Sequence, residues 1–372
     1  MACPKHAHWY GALLGLVPIA VFLSVGTLLV QANHAEPRSA AGDVGGNAAS
    51  SNLIGANVAD NPGLTFKDFQ SRCASSGVIV CEGFDDPAEF LPAKWPNTGL
   101  YPGSDNSYEI VRDTTIMASG AGSLKFPIKA SDGTGPTVRD DNWLQTFCKG
   151  DSATPCTPTV FGQNSTFYVQ FRYRVDTNYA TTNWEDPANG ASSPKIADFA
   201  SVGGSCGSIE LTTNNRGGTD IPMMYTDCGR RGLFVNPGTT KWNDSSPPYQ
   251  YENGYYNCSY EKTPSPPGGC FVMPANTWMT FYYRVSIGTW GQPNSVIKAW
   301  VAPAGRPLNL FIDVEKMKLF QDQPGYDAIW FNVYMTSFLA TARNPAANAW
   351  LDEVIVSSAP IPAPAGYGPT PQ

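Results

Sequence analysis

Nine side chains on four alternating segments carry most of the chemistry this sequence offers: Arg172 and Arg174, Tyr282 and Arg284, Lys298 and Trp300, then Trp330, Asn332 and Tyr334. Each occupies every second position opposite an apolar set. Those sets are Phe167, Val169, Phe171, Tyr173 and Val175; Phe281, Tyr283, Val285 and Ile287; Ile297, Ala299 and Val301; and Ile329, Phe331, Val333 and Met335. Period two sends the apolar set to a core and the polar set to an open face. Flat rings pack against the apolar face of a pyranose and arginine forks grip carboxylates, so rings beside cations fit an acidic sugar polymer. Alternating Arg and Tyr also describes a plain solvated face. It is the clustering over four segments that favours a ligand.

Other chemistries are excluded or disfavoured by what is missing. The three histidines, His6, His8 and His34, all fall in the first 34 residues, inside a segment that reads as targeting sequence. A domain without histidine has no Ser-His-Asp triad, no Cys-His pair and no imidazole base. Lys and Arg number 24 against 31 Asp and Glu, a net charge of -7 that supplies no general basic field for nucleic acid. Hydrolysis by paired carboxylates has three candidates: Glu185/Asp186, Asp313/Glu315 and Asp352/Glu353. Neighbours on a regular strand face opposite ways, so Asp352 and Glu353 are not expected to flank one bond. Asp313 and Glu315 sit in a stretch that reads as turn-rich.

The elements that must position these residues are strands. Gly (36) and Pro (32) are abundant, aromatics reach 12% and charged residues only 15%, a composition against helical bundles. Besides the four segments, strands are expected at Val78-Glu82, Ser123-Ile128, Ser208-Thr212, Ile221-Tyr225 and Trp350-Val356. Many turn-separated strands argue for an all-β, two-sheet antiparallel β-sandwich. The organisation expected around it is a signal peptide at 1-32, a flexible spacer at 33-63, the domain at 64-358 and an extended, unpacked Pro-rich tail at 359-372. Lys5 precedes an uncharged run from Gly11 to Val30, and Val30-Gln31-Ala32 offers small residues for cleavage after Ala32, with Ala35 as the alternative. An uncleaved anchor at 11-30 is the rival reading, and both place the domain outside the cytoplasm. Without Cys3 eight cysteines remain, in sequential couples: Cys73/Cys81, Cys148/Cys156, Cys206/Cys228 and Cys258/Cys270. Local disulfides are expected, each adding about 3 kcal/mol by restricting the unfolded chain. No C-x-x-C occurs to favour a metal cluster. Sequons stand at Asn164, Asn243 and Asn257.

CEGFDD at Cys81-Asp86 and GAGSLKFPI at Gly120-Ile128 resemble the opening of concanavalin A-like lectin/glucanase jelly rolls. NTWMTFYYRVSIGTWGQPNSVIKAWVA, Asn276-Ala302, resembles their paired central strands, and AWLDEVIVSSAPIP, Ala349-Pro362, their closing strand. Within that superfamily the chain is most similar to jelly-roll polysaccharide lyases acting on uronic-acid polymers. The resemblance implies a concave sheet that holds the sugar chain, and nominates Arg172 and, in SPKIADF, Lys195. It departs from the family in having no histidine base, and the E-x-D-x-x-E of related glucanases is missing. For β-elimination, Arg172 or Asn332 is assigned to the uronate carboxylate, Tyr334 or Tyr282 to proton transfer and Lys195 to electrostatic support. Arg174, Arg284, Lys298, Trp300 and Trp330 complete the expected binding face. No cofactor is required. First and last strands of this fold lie together, so Glu82, Asp85 and Asp352, with Asp86 nearby, are expected either to share a structural calcium ion or to be surface acids near turns. The function expected is a secreted protein that binds an acidic polysaccharide and cleaves it; the alternatives are a non-catalytic lectin-like module and a surface adhesion protein.

Overall fold

The computed structural model describes residues 62–87, 99–101, 110–130, 142–148, 157–182, 184, 195–200, 209–214, 221–226, 240–241, 271–319, 325–333 and 345–372. The expected signal or anchor, nearly all of the spacer, Tyr334, Glu185, Asp186, two of the three sequons and the couples Cys206/Cys228 and Cys258/Cys270 lie outside them. Among the described residues no helix is long and apolar enough to cross a membrane.

The described residues form two sheets. The larger contains β1 (Val78–Glu82), β3 (Val111–Asp113), β4 (Ser123–Ile128), β6 (Thr166–Val175), β10 (Thr240–Lys241), β11 (Met279–Ser286), β12 (Pro293–Pro303), β13 (Asn309–Lys318) and β15 (Ala347–Ser357). Its order is β10-β13-β12-β11-β6-β15-β4-β3, with β1 also on β15. The smaller runs β2-β5-β14-β7-β8-β9, from β2 (Gly99–Tyr101), β5 (Asn142–Thr146), β7 (Lys195–Ala200), β8 (Ile209–Asn214), β9 (Ile221–Thr226) and β14 (Ala328–Asn332). Pairing is antiparallel apart from β10 on β13. This is the jelly-roll sandwich expected, with nine strands facing six.

The apolar sets meet between the sheets as period two requires. Phe171 of β6 lies 5.3 Å from Phe281 of β11 in its own sheet and 5.3 Å from Phe331 of β14 in the other. Phe199 of β7 reaches Tyr283 of β11 at 5.2 Å. Rings of this kind each stabilise the fold by about 2–3 kcal/mol through burial, with edge-to-face geometry adding to it. The Asp313/Glu315 stretch is strand, not turn: it is β13, and Asp313 opposes Lys298 in register.

The outer side of the nine-stranded sheet, expected to be open, is buried over its centre. Helix α1 (Pro62–Cys73) begins on a proline, whose fixed φ suits a first turn, and aligns Phe66, Phe69 and Cys73 on one side. Phe69 joins Tyr282, Trp300, Ile355 and Ile361 in a second apolar cluster. Ile361 and Tyr367 belong to the segment expected to be an unpacked tail, yet they are 0% and 3% exposed. Five prolines do prevent that segment from forming a strand, but its apolar side chains still have a sheet to cover. Its backbone is pinned at several points: Ile361 N donates to Tyr282 Oη at 3.1 Å, Gln170 Nε2 to Pro362 O at 3.3 Å, Leu308 N to Tyr367 O at 3.0 Å and Ala365 N to Asp68 Oδ1 at 3.1 Å. Gly77, between α1 and β1, has φ +86°, and a Cβ there would lie 2.7 Å from Ala359 Cβ. The Cys73–Cys81 disulfide, Cα–Cα 5.6 Å, ties the end of α1 to β1. Cys148 is also disulfide-bonded.

The two opening motifs turn out to lock the sandwich edge. Arg112 donates to Phe84 O, Asp85 O and Ala121 O at 2.9, 2.7 and 2.8 Å, and Asp85 Oδ1 accepts from Ala121 N. A Cβ on Gly120 would fall 2.1 Å from that same Asp85 oxygen, which explains GAGS facing CEGFDD.

Candidate functional site

The nine expected face residues do not share one sheet. Arg172, Arg174, Tyr282, Arg284, Lys298 and Trp300 lie on the nine-stranded sheet, Trp330 and Asn332 on the six-stranded one. On the larger sheet Arg172, Tyr282 and Trp300 are buried among partners from this chain. Arg172 is 4% exposed and its Nε lies 2.8 Å from Glu353 Oε2, while its guanidinium stacks 5.5 Å from the Tyr367 ring. Arg72 of α1 donates to the same Glu353 oxygen and to Gln170 Oε1, and its Nε bonds Asp68 Oδ2 at 2.9 Å. Tyr282 is fully buried; burial pushes its phenol well above the ordinary tyrosine range, against the Ile361 amide that favours the anion. It therefore cannot serve as a proton acceptor for an outside ligand, and Arg172 cannot meet a uronate without leaving Glu353. Trp300 is 9% exposed, edge-on to Tyr282 at 5.7 Å, and Lys298 pairs with Asp313 at 3.5 Å. Arg174 and Arg284 stay half-buried.

Glu353 enters this network through a bulge. In the β15–β6 register Asp352 opposes Arg172 and Ile355 opposes Gln170, so β15 carries one extra residue, and Glu353 adopts φ +49°. A left-handed non-glycine residue costs about 1–2 kcal/mol. The ion pairs with two arginines offset it. The bulge overturns the expectation that Asp352 and Glu353 face opposite ways: Val354 returns to the core and both carboxylates lie on its far side. They are nonetheless sealed, each 0% exposed. Asp352 accepts from Ala118 N at 2.7 Å, Ser119 N at 3.2 Å and Glu353 N at 2.7 Å. Burial and the Glu353 charge raise its carboxyl against those three donors.

The acids expected around calcium are each engaged by amides. Glu82 Oε1 accepts from Phe84 N at 2.7 Å, Asp85 from Ala121 N and Asp352 as above. Among the described residues no three Asp, Glu, Cys or His side chains gather as a metal cluster.

The six-stranded sheet is organised differently. Its core-facing row is Trp143, Phe331 and Ala197, and beyond it Ile329 and Phe199. The opposite side presents Trp330 between Leu144 and Asp198, and Asn332 opposite Asn142. Lys195 reaches that side through a second bulge. Phe199 and Ala197 face the core, and simple alternation would send Lys195 there too; instead β7 gains a residue, Lys195 opposes Thr212 rather than Leu211, and its side chain turns outward. Antiparallel pairing sets Asn332 beside this bulge, one step past the Phe331–Ala197 pair. Lys195, Asp198, Trp330 and Asn142 are half-buried and Asn332 is 5% exposed. A cation, two amides and an indole thus occupy neighbouring positions, with the Asp198 carboxylate beside them. Asp198 adds to the burial that raises the Tyr326 phenol far above its usual range. Both described helices pack on strands of the larger sheet, α1 on β1 and α2 (Thr177–Thr181) on β15. Asn142 and Asp198 were not visible as site residues in the sequence, because β5 and β7 are too short and too irregular to show period two.

No protein-family description and no curated protein matches the chain. Among solved structures it is similar to the endo-β-1,4-glucuronan lyase of the fungus Trichoderma reesei, at 12% identity over 72% of this chain and 95% of that one, TM-score 0.43. It is similar to an alginate lyase from Chlorella virus at 9% identity over 75% and 99%, TM-score 0.40. A third similar structure is the botulinum neurotoxin serotype D binding domain, 10% identical over 76% of this chain and 47% of that one, TM-score 0.37.

Proposed function

We propose that this is an exported carbohydrate-active protein that holds a uronate-containing polysaccharide across the outer side of its six-stranded sheet and cleaves it by β-elimination. One observation carries the choice of face: helix α1 and the C-terminal segment close the centre of the larger sheet, whereas the β7 bulge turns Lys195 outward beside Asn332 and Trp330. The amides of Asn332 and Asn142 and the Lys195 ammonium hold the uronate carboxylate and spread the charge that develops when the C5 proton leaves. Trp330 packs against the sugar ring. A base takes the C5 proton, the C4–O bond breaks, a C4=C5 double bond forms and the departing oxygen gains a proton. Tyr334 is the residue assigned to that proton transfer. The Cys73–Cys81 disulfide supports export to an oxidising compartment.

The test is absorbance in the ultraviolet band of unsaturated uronates, followed across a panel of acidic and neutral polysaccharides. Lys195→Ala is expected to lower turnover about 100-fold, the scale of a lost transition-state donor, with the melting temperature unchanged. Tyr334→Phe is expected to abolish turnover while oligomer affinity stays within a few-fold. Binding of uronate oligomers without any unsaturated product would leave a lectin in place of a lyase.

A further inference from the structure

The far end of the nine-stranded sheet holds a cation–ring–cation row that neither the core nor the proposed lyase face uses. Lys125 of β4, Trp350 of β15 and Arg174 of β6 are direct cross-strand neighbours, so all three project to the same side. Lys125 Nζ lies 5.6 Å and the Arg174 guanidinium carbon 5.8 Å from the Trp350 ring centroid. The indole is held by its Nε1–H, which donates to Asp113 Oδ2 at 2.9 Å, and by packing on Trp278 and Ala118 in a small cluster separate from that under α1.

The carboxylates around this row are filled and the cations are not. Asp113 also accepts at Oδ1 from Thr115 Oγ1 at 2.6 Å and from the Thr115 and Ile116 amides at 2.8 and 3.2 Å. Asp176, the charge that acts on Arg174, accepts from Tyr179 N at 2.7 Å and Asn348 Nδ2 at 2.8 Å. Neither Lys125 nor Arg174 forms an ion pair with a described carboxylate, and the buried Arg174 Nε meets no acceptor. The accessible part of Arg174 is therefore the paired end of its guanidinium, a fork that fits the two oxygens of a carboxylate. Trp350 is only 4% exposed, so a neutral sugar finds no stacking surface there. Recognition has to be electrostatic.

We propose that Lys125 and Arg174, spaced and oriented by Trp350, form a second carbohydrate subsite that takes a uronate carboxylate of an acidic glycan, on the opposite sheet from the cleavage face. It shares a ligand class with the proposed function but no residue. Its role is to anchor the polymer away from the reacting bond, where occupancy raises the local concentration of chain at the other face.

The probe is a mannuronate tetrasaccharide titrated calorimetrically into the full chain at low salt. Two classes of site are expected. The Lys125→Met/Arg174→Met variant, which keeps the stems packed on Trp350, is expected to lose one class, at least tenfold in affinity, while Trp330→Ala loses only the other. Cellotetraose is expected not to compete for the Lys125/Arg174 class. If the double variant keeps the wild-type stoichiometry and affinities, the subsite does not exist. A single class abolished by Trp330→Ala alone overturns this proposal and leaves the lyase face standing; a single class abolished by the double variant alone does the reverse. Should the double variant fail to fold, Lys125→Glu, a charge reversal at a half-buried position, is expected to remove the same class, and unchanged binding by it overturns the proposal.

Discussion

The outer sides of the two sheets begin from the same sequence pattern and are covered differently. On β6, β11 and β12 the middle of the outer side is roofed by α1 and the C-terminal segment, and Tyr282 is 0% exposed. On β14 and β7 the corresponding half keeps Trp330, Asp198 and Lys195 half-buried. Alternation tells which side chains leave the sandwich core. It does not tell whether another part of the chain lies over them, because that depends on segments far away in sequence with no periodicity of their own.

The contrast can be broken most forcefully at Glu353. Glu353→Ala leaves Arg72 and Arg172 buried without their shared counter-ion and is expected to cost about 3–5 kcal/mol in urea unfolding. Binding of uronate oligomer by the folded fraction is expected to persist, and a specific loss of binding at full stability would place the ligand on the larger sheet after all. Deleting residues 359–372 comes next: it uncovers Tyr282 and Trp300 and removes the buried Ile361, for an expected loss of about 3 kcal/mol. A truncated chain as stable as the full one would mean the roof is not part of the fold.

The smallest effect sharpens the comparison through pH. Burial alone would raise the Asp113 carboxyl, but hydrogen bonds from Thr115 and Trp350 side chains and the Thr115 and Ile116 amides bring it down to about 2. A folded-state value below the unfolded one contributes stability that is complete above about pH 4 and is lost as pH falls through 2. Because the group is largely solvated, Asp113→Asn is expected to cost under about 1 kcal/mol at neutral pH, with the difference from wild type vanishing near pH 2. Unfolding curves at pH 7, 4 and 2 measure it.

Much of the fold is legible in the amino-acid sequence. Val78–Glu82 and Ser123–Ile128 are strands over the expected residues, and β6, β11, β12 and β15 differ from expectation only at their ends. These strands have long apolar sets on one side. β13 was missed because Asp313 and Glu315 interrupt its apolar pattern, and α1 because its polar residues blend into the spacer before it. The site was less legible for a different reason. Both faces hinge on bulges, at Glu353 and before Ala197, and one extra residue reverses the parity on which any period-two assignment depends. Lys195 was reached by resemblance, not by periodicity, which would have placed it in the core.

The bulge on β15 has one more consequence, for length variation. Ala349 and Leu351 before it, and Val354 and Val356 after it, all face the core, so removing residue 353 would restore ordinary alternation without moving any other side chain to the wrong side. The centre of the most enclosed strand is thus a place where a chain shorter by one residue keeps the same sandwich. Gaps in an alignment are commonly read as surface loops. In relatives of this protein a one-residue gap at this position would instead mark the absence of the buried acid, and Arg72 and Arg172 should change identity along with it.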